Sequence, residues 1–349
     1  MTADLFEEMP LPDPPRRANV ARQPVAAALH DATIAELASA VPAALRLGTS
    51  SWSFPGWEGL VWAGTHSEAQ LAKQGLAAYA QHPMFRAVSL DRSFYRPLSA
   101  SQYAAYAAQV PDDFRFVVKA PNLVTDALVR GGEGRATQPN PAFLSPALAV
   151  SEFVQPALEG LGHKVGVLVF QLSPLPRFWL DRMPEVFERV ARMLDALPKL
   201  DRAAGAVVAV EVRDAQFLIP EFAAVLRAAG ATYCLGLHAK LPPLQAQLPM
   251  LRALWPGPLV CRWSLHRKHG TYGYEAAKQV YEPFDQLMDP DPDTRNALAR
   301  VIVATIAAGF HAFVTINNKA EGSAPLSVVE LAKAVARDAG ESVAAVPKA

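Results

Sequence analysis

The stretch HAFVTINNKAEGSAPLSVVELAKAVARDAG, residues 311–340, decides the fold. It opens as an apolar, β-branched run, ends that run in two amides, a lysine and a glutamate, and continues into an Ala/Leu-rich segment of helical pattern. An apolar strand followed by a helix is the repeating unit of parallel sheets with crossover helices. The polar finish is explained by one such architecture, because a barrel strand buries its middle but delivers its C-terminal end to a solvent-filled mouth.

Upstream the same alternation recurs. LRLGTS at 45, AVSLD at 87, FRFVVK at 114, VGVLVFQ at 165, AVVAVEVR at 206, ATYCLGLH at 231 and LVCRW at 259 read as strands, and HAFVTINN at 311 makes eight. Helical patterns such as SEAQLAKQGLAAYAQ, MPEVFERVARMLDAL and PEFAAVLRAAG lie between them. Eight strand-helix units in a chain of 349 residues predict an α/β fold, a single-domain TIM-like (β/α)8 barrel with an N-terminal extension, over a doubly wound sheet. The barrel is expected over 45–340, with 341–349 a C-terminal tail. Residues 1–23 carry four prolines among paired charges and predict a mobile tail. Val25, Leu29, Ile34, Leu37 and Val41 predict an amphipathic lead-in helix within 24–44.

Composition bounds the function. Thirty-three basic residues balance 33 acidic ones, so no overall field draws the chain to nucleic acid or an anionic membrane, and any basic cleft is local. No apolar stretch approaches the roughly 20 residues that span a bilayer, and MTADLFEEMP lacks the basic start and apolar core of a signal peptide. Cys234 and Cys261 sit in apolar runs and read as buried free thiols, which fits a cytoplasmic protein. No motif sets an oligomeric state.

The polar strand ends supply the candidate site: Asp91, Arg92 and Arg96 after the second strand, Lys119 on the third, Gln171 on the fourth, Glu211 and Arg213 on the fifth. His238 and Lys240 follow the sixth, Arg262 lies on the seventh, and Asn317, Asn318, Lys319 and Glu321 end the eighth. Period-two alternation puts Ala209, Glu211 and Arg213 on one face, and Ser89 with Asp91 on another, both pointing inward. Ion pairs of Glu211 with Arg213, or Asp91 with Lys119, are the structural alternative to a catalytic role. Trp52, Phe54, Trp57 and Trp62 follow the first strand, and Phe94 and Tyr95 follow the second, as candidates to wall a pocket. Two long strand-to-helix connections, 120–145 and 264–291, belong to the same face.

Familiar chemistries find little support. GGEGR at 131 lacks Walker spacing, His266 and His269 have no HExxH companion, and Ser50 and Ser51 lack a nucleophile-elbow context. The mouth is rich in Lys and Arg rather than metal-ligand clusters, so neither metal nor cofactor is expected.

LGTSSWSFPGW at 47, SFYRPLSASQY at 93, PDDFRFVVKAP at 111, VFQLSP at 169, VEVRDAQF at 210 and TINNKAEGSAP at 315 resemble, in order, the Domain of Unknown Function 72 family (YecE-like proteins). The resemblance implies a TIM-like barrel with a polar mouth built from these segments, and supplies no reaction. Members commonly carry Val-Glu-x-Asn-x-Thr-Phe-Tyr where this chain reads VSLDRSFY, so Ser89 holds the glutamate position and Asp91 the asparagine position. Asp91 is the candidate to replace that carboxylate.

Three functions follow. The favoured one is a metal-independent enzyme for a small anionic substrate, phosphorylated or carboxylated. Arg96, Arg213, Arg262 and Lys319 would hold its charge, Glu211, Asp91 and Lys119 would be catalytic, and Trp52, Tyr95, Gln171, Asn317 and Asn318 would complete the binding set. The second is a glycoside-hydrolase-like enzyme using Asp91 and Glu211, a reading that a pair locked onto arginines would remove. The third is a non-catalytic module for a nucleotide or nucleic-acid end, stacking on Trp52 and Tyr95.

Overall fold

The computed structural model describes residues 24–130, 136–200 and 205–344. The expected N-terminal tail and the GGEGR segment lie outside the described residues. Eight parallel strands close a barrel: β1 (Leu45–Thr49), β2 (Ala87–Leu90), β3 (Arg115–Lys119), β4 (Val165–Gln171), β5 (Val207–Glu211), β6 (Thr232–Leu237), β7 (Leu259–Trp263) and β8 (Ala312–Ile316). Neighbours in sequence are neighbours in the sheet, and β8 closes the ring on β1 with Ala312 opposite Leu45 and Ile316 opposite Thr49. This is the (β/α)8 architecture that the strand pattern predicts. Each strand is followed by a helix, including Gln155–Leu161 after β3 and Leu244–Ala253 after β6, the latter with Pro249 inside it.

Alternation along the strands divides the core in two. Leu45, Leu47, Val88, Leu90, Phe116, Val118, Leu168 and Phe170 point outward and pack beneath the helices. Val117, Val167, Val169, Ala209, Cys234, Val260 and Phe313 form a separate apolar plug inside the ring. The next inward positions toward the C-terminal end, two residues on, are Lys119, Gln171, Glu211, Gly236, Arg262 and Thr315. The register sets Gln171 opposite Glu211 and Arg262 opposite both Gly236 and Thr315. Charge therefore begins where the plug ends.

The lead-in differs from the amphipathic expectation. Its helix runs over Ala32–Ala40, started by Asp31, whose carboxylate accepts from the Ile34 amide at 3.3 Å. Upstream, Ala26–Ala27 pairs antiparallel with Trp62–Ala63 instead of extending the helix. At the other end the last helix, Ala324–Ala344, continues past 340. The connection after β3 holds a small hairpin, Leu128–Arg130 with Ala136–Pro139, and the one after β7 holds the helix Tyr274–Tyr281.

Two residues of the β8 end turn away from the mouth. Asn318, in the 3-10 turn Asn318–Ala320, accepts at Oδ1 from the Trp57 indole at 3.1 Å and from the Ala324 amide at 2.9 Å. Glu321 accepts from the Asp291 amide at 2.6 Å and lies 3.1 Å from Arg295 Nε. Asn318 thus fastens the loop after β1 to the start of the final helix, Glu321 ties the end of β8 to Asp291 and Arg295, and neither the predicted site residue Asn318 nor Glu321 lines the mouth.

Candidate active site

Arg262 organises the floor of the mouth. Standing directly above Val260 on the inward face of β7, its guanidinium donates through Nη1 to Glu211 Oε2 at 2.9 Å and through Nη2 to both oxygens of Asp91, at 2.7 and 2.9 Å. Arg213 Nη2 lies 2.6 Å from the other oxygen of Glu211, and both arginines donate to Gln171 Oε1 at 3.2–3.3 Å. Ser89 adds a hydrogen bond to Asp91 Oδ1 at 2.6 Å. Gly236 matters here, because a Cβ on it would come within 3.5 Å of Arg213 Nη1 and 2.9 Å of Leu241. The Asp91–Lys119 ion pair considered from sequence is replaced by Asp91–Arg262, whose planar guanidinium fork takes both oxygens of Asp91 while its other nitrogen reaches Glu211.

Electrostatics fix the charge states. Burial alone would raise the Glu211 carboxyl, but Arg213, Arg262 and Lys119 hold it below its ordinary value. The same contest, with Arg262, Lys119 and the Ser89 hydrogen bond prevailing over burial, holds Asp91 low. Arg262 is held protonated against its burial by Asp91 and Glu211. Glu211 is fully enclosed, is not among the residues lining the cavity, and bridges the two arginines.

Above this floor opens a cavity of about 510 Å³. Its cationic lining comprises Lys119, Arg213, Lys240, Arg262 and Lys319, against Asp91 as the acidic lining residue. Among the described residues, Lys119, Lys240 and Lys319 form no ion pair, while the arginines are matched by Asp91 and Glu211. Lys119, 9% exposed, places Nζ 3.5 Å from the centroid of the Phe94 ring. Burial pushes its amine down to about 8, against the pull of Asp91 and with the help of Arg262. His238 accepts at Nδ1 from the Lys240 amide at 3.0 Å, and burial with the Arg213 charge pushes it down to about 4, so the neutral ring carries its proton on Nε2.

Of the residues singled out from sequence, Asp91, Tyr95, Lys119, Gln171, Arg213, Arg262, Asn317 and Lys319 line this one cavity, with Glu211 beneath it. Trp52, Arg96 and Asn318 do not line it. Trp52 is buried with its ring edge-on to Tyr106 at 5.5 Å, and Arg96 is exposed outside the cavity. His238 and Lys240 stand out in the sequence only as strand ends, and Tyr272 and Tyr274, both inside the long connection 264–291, carry no sequence signal of their own. Tyr95 and Tyr272 form an exposed aromatic rim, with Lys240 Nζ 4.7 Å from the Tyr272 ring centroid. The other long connection contributes nothing to the lining among the described residues.

Among the described residues, no three His, Cys, Asp or Glu side chains gather as a metal-binding group, and no helix is long and apolar enough to cross a membrane. The arrangement can hold an anion against cations and offer it an amine that loses its proton near neutral pH. Lys119 is accordingly expected to be acylated by amine reagents with an apparent pKa of about 8, whereas exposed lysines follow their ordinary value of about 10.4. Peptide mapping across a pH series checks this, and labelling of Lys119 in step with the surface lysines contradicts it.

The family model described as "Protein of unknown function DUF72" matches residues 46–349. A DUF72 family protein from Enterococcus faecalis V583 shares the fold with a TM-score of 0.52 at 15% identity, covering 83% of this chain and 95% of that one. A second, from Thermotoga maritima MSB8, aligns with a TM-score of 0.50 at 19% identity over 83% and 98% of the two chains. No curated protein matches the sequence.

Proposed function

Because the chain belongs to the family of proteins of unknown function DUF72, whose description carries no reaction, we propose its function from the cavity alone. The protein is a small-molecule enzyme that takes an anionic substrate, phosphorylated or carboxylated, over the arginine floor, with side-chain cations rather than a metal meeting its charge and Lys119 moving the proton. One observation carries this reading: three lysines that form no ion pair among the described residues face a cavity whose acidic lining residue, Asp91, is already held by both its oxygens on Arg262. An anion entering there meets uncompensated positive charge in a partly desolvated space, where such contacts are strongest.

The glycoside-hydrolase alternative loses its support. A glycosidase needs one carboxyl raised enough to donate a proton, whereas Asp91 and Glu211 are both held low by Arg262. The nucleotide-end reading keeps Tyr95 at the rim but not Trp52, which is buried against Tyr106.

Calorimetric titration with inorganic phosphate tests the proposal. One site is expected, weakened by added salt and weakened about tenfold, or about 1.4 kcal/mol, by Lys319→Ala or Lys240→Ala. Absence of binding, or binding indifferent to both substitutions, refutes it.

A further inference from the structure

We propose that Lys119 is a carbonyl-trapping nucleophile, whose amine condenses with the aldehyde or ketone carbon of a substrate that also carries a phosphate or carboxylate. The inference rests on the anion-binding reading above and names the substrate class for it: an anionic carbonyl compound.

Three features of the mouth converge on this. Lys119 ends β3 on the inward face, directly above Val117 of the plug, so its amine is delivered into the cavity from a rigid element rather than a loop. The two carboxylates that would ordinarily hold an ammonium there are occupied, Asp91 by Arg262 and Glu211 by both arginines. What touches the amine instead is the face of Phe94, a contact that stabilises the cation weakly and does not block attack once the proton leaves. A desolvated lysine beside other cations is the setting in which the neutral, nucleophilic amine becomes accessible at neutral pH. The value of about 8 agrees with that placement. Lys240 and Lys319 remain for the substrate's anionic end, and His238 offers a neutral imidazole to relay protons in the same cavity.

The step balances without an oxidant or reductant. The neutral amine adds to the carbonyl carbon, forming a C–N bond as the C=O π pair moves to oxygen, which takes up a proton while nitrogen loses one. The C–O bond then breaks and water departs with a further proton, leaving a protonated iminium. Counted from the ammonium, two of its three protons leave in the water and the single positive charge stays on nitrogen. The iminium draws electrons from the adjacent carbon, which suits proton removal or C–C bond cleavage next to the former carbonyl.

The full chain is incubated separately with pyruvate and with dihydroxyacetone phosphate in the presence of cyanoborohydride, which reduces an iminium to a stable amine. Intact mass and peptide mapping then locate the adduct. The expected result is a single adduct on Lys119 with at least one probe, forming on the order of a hundredfold faster than on an exposed lysine, as the neutral-amine fractions imply, and slowed by inorganic phosphate. The probe that reacts distinguishes carboxylate from phosphate recognition. Lys119→Arg, which keeps the charge, should remove the adduct while thermal melting shows the fold retained; the map of the unaltered protein locates the site even if that variant fails to fold. No adduct with either probe, or adducts scattered over surface lysines, overturns the proposal. The phosphate titration separates the two failures: phosphate binding without an adduct removes the carbonyl step alone, and loss of both removes the anion-binding reading with it.

Discussion

Glu211→Ala is expected to destabilise the barrel by about 3–5 kcal/mol, the cost of leaving buried charge without its partner. The side chain has no exposure to solvent and is the bridge between two arginines that are themselves more than nine-tenths buried. Its removal strips Arg213 of its ion partner and leaves Arg262 with Asp91 alone. Urea unfolding reads the effect as a lowered midpoint at unchanged slope. The pH dependence carries the sign. Asp91 and Glu211 have folded pKa values depressed below their unfolded ones, so their contribution is complete above the unfolded value of about 4 and is lost as pH falls through the folded values. In Glu211→Ala part of that acid-induced loss should vanish, because the stabilisation it removes is already gone at neutral pH. A variant as stable as the unaltered protein would mean that Glu211 does not hold the floor.

On the proposed function, Lys119→Met is expected to lower turnover of an anionic substrate by about a hundredfold to ten-thousandfold, the usual range for losing a proton-transfer group. Its effect should fall on kcat, whereas Lys319→Ala should raise KM, because the first removes the reacting amine and the second an anchor for charge. Stability should move differently again. Burial depresses the folded pKa of Lys119 to about 8, so the protein should gain stability as pH rises from there toward the unfolded value of about 10.4, where the folded state has already shed a proton that the unfolded chain still binds. Lys119→Met should lack that rise while tolerating neutral pH at least as well. Screening phosphorylated and carboxylated carbonyl compounds with both proteins makes the comparison; equal turnover would take Lys119 out of the chemistry.

The fold was legible because strand alternation and strand ends obey short-range rules. All eight barrel strands are visible as apolar runs, and polar residues two positions beyond plug residues, such as Lys119 above Val117 or Glu211 above Ala209, follow from period-two geometry alone. What escaped were features settled by tertiary partners. Asn318 and Asn317 are adjacent amides in sequence, yet the 3-10 turn sends one to Trp57 and leaves the other at the cavity. Trp52 looked like a pocket wall, but nothing local records that Tyr106 covers it. The place of Glu211 on an inward face near Arg213 is legible, but its contact with Arg262, 51 residues away, is not. Tyr272 and Tyr274 reach the mouth through a long connection whose length flagged the face but not the individual side chains.

The closure of β8 between β7 and β1 also governs the order in which the chain can mature during synthesis. β8 is translated after the other seven strands, and until it appears β1 and β7 each keep an edge of unpaired backbone groups, the kind of edge that templates pairing with a foreign strand. At about 5–20 residues per second, the interval between the ends of β7 and β8 lasts several seconds. The Trp57 indole waits through the same interval for Asn318, 261 positions later in the chain. A nascent chain of this protein is therefore most exposed to aggregation late in translation, when seven of its eight strands are already made.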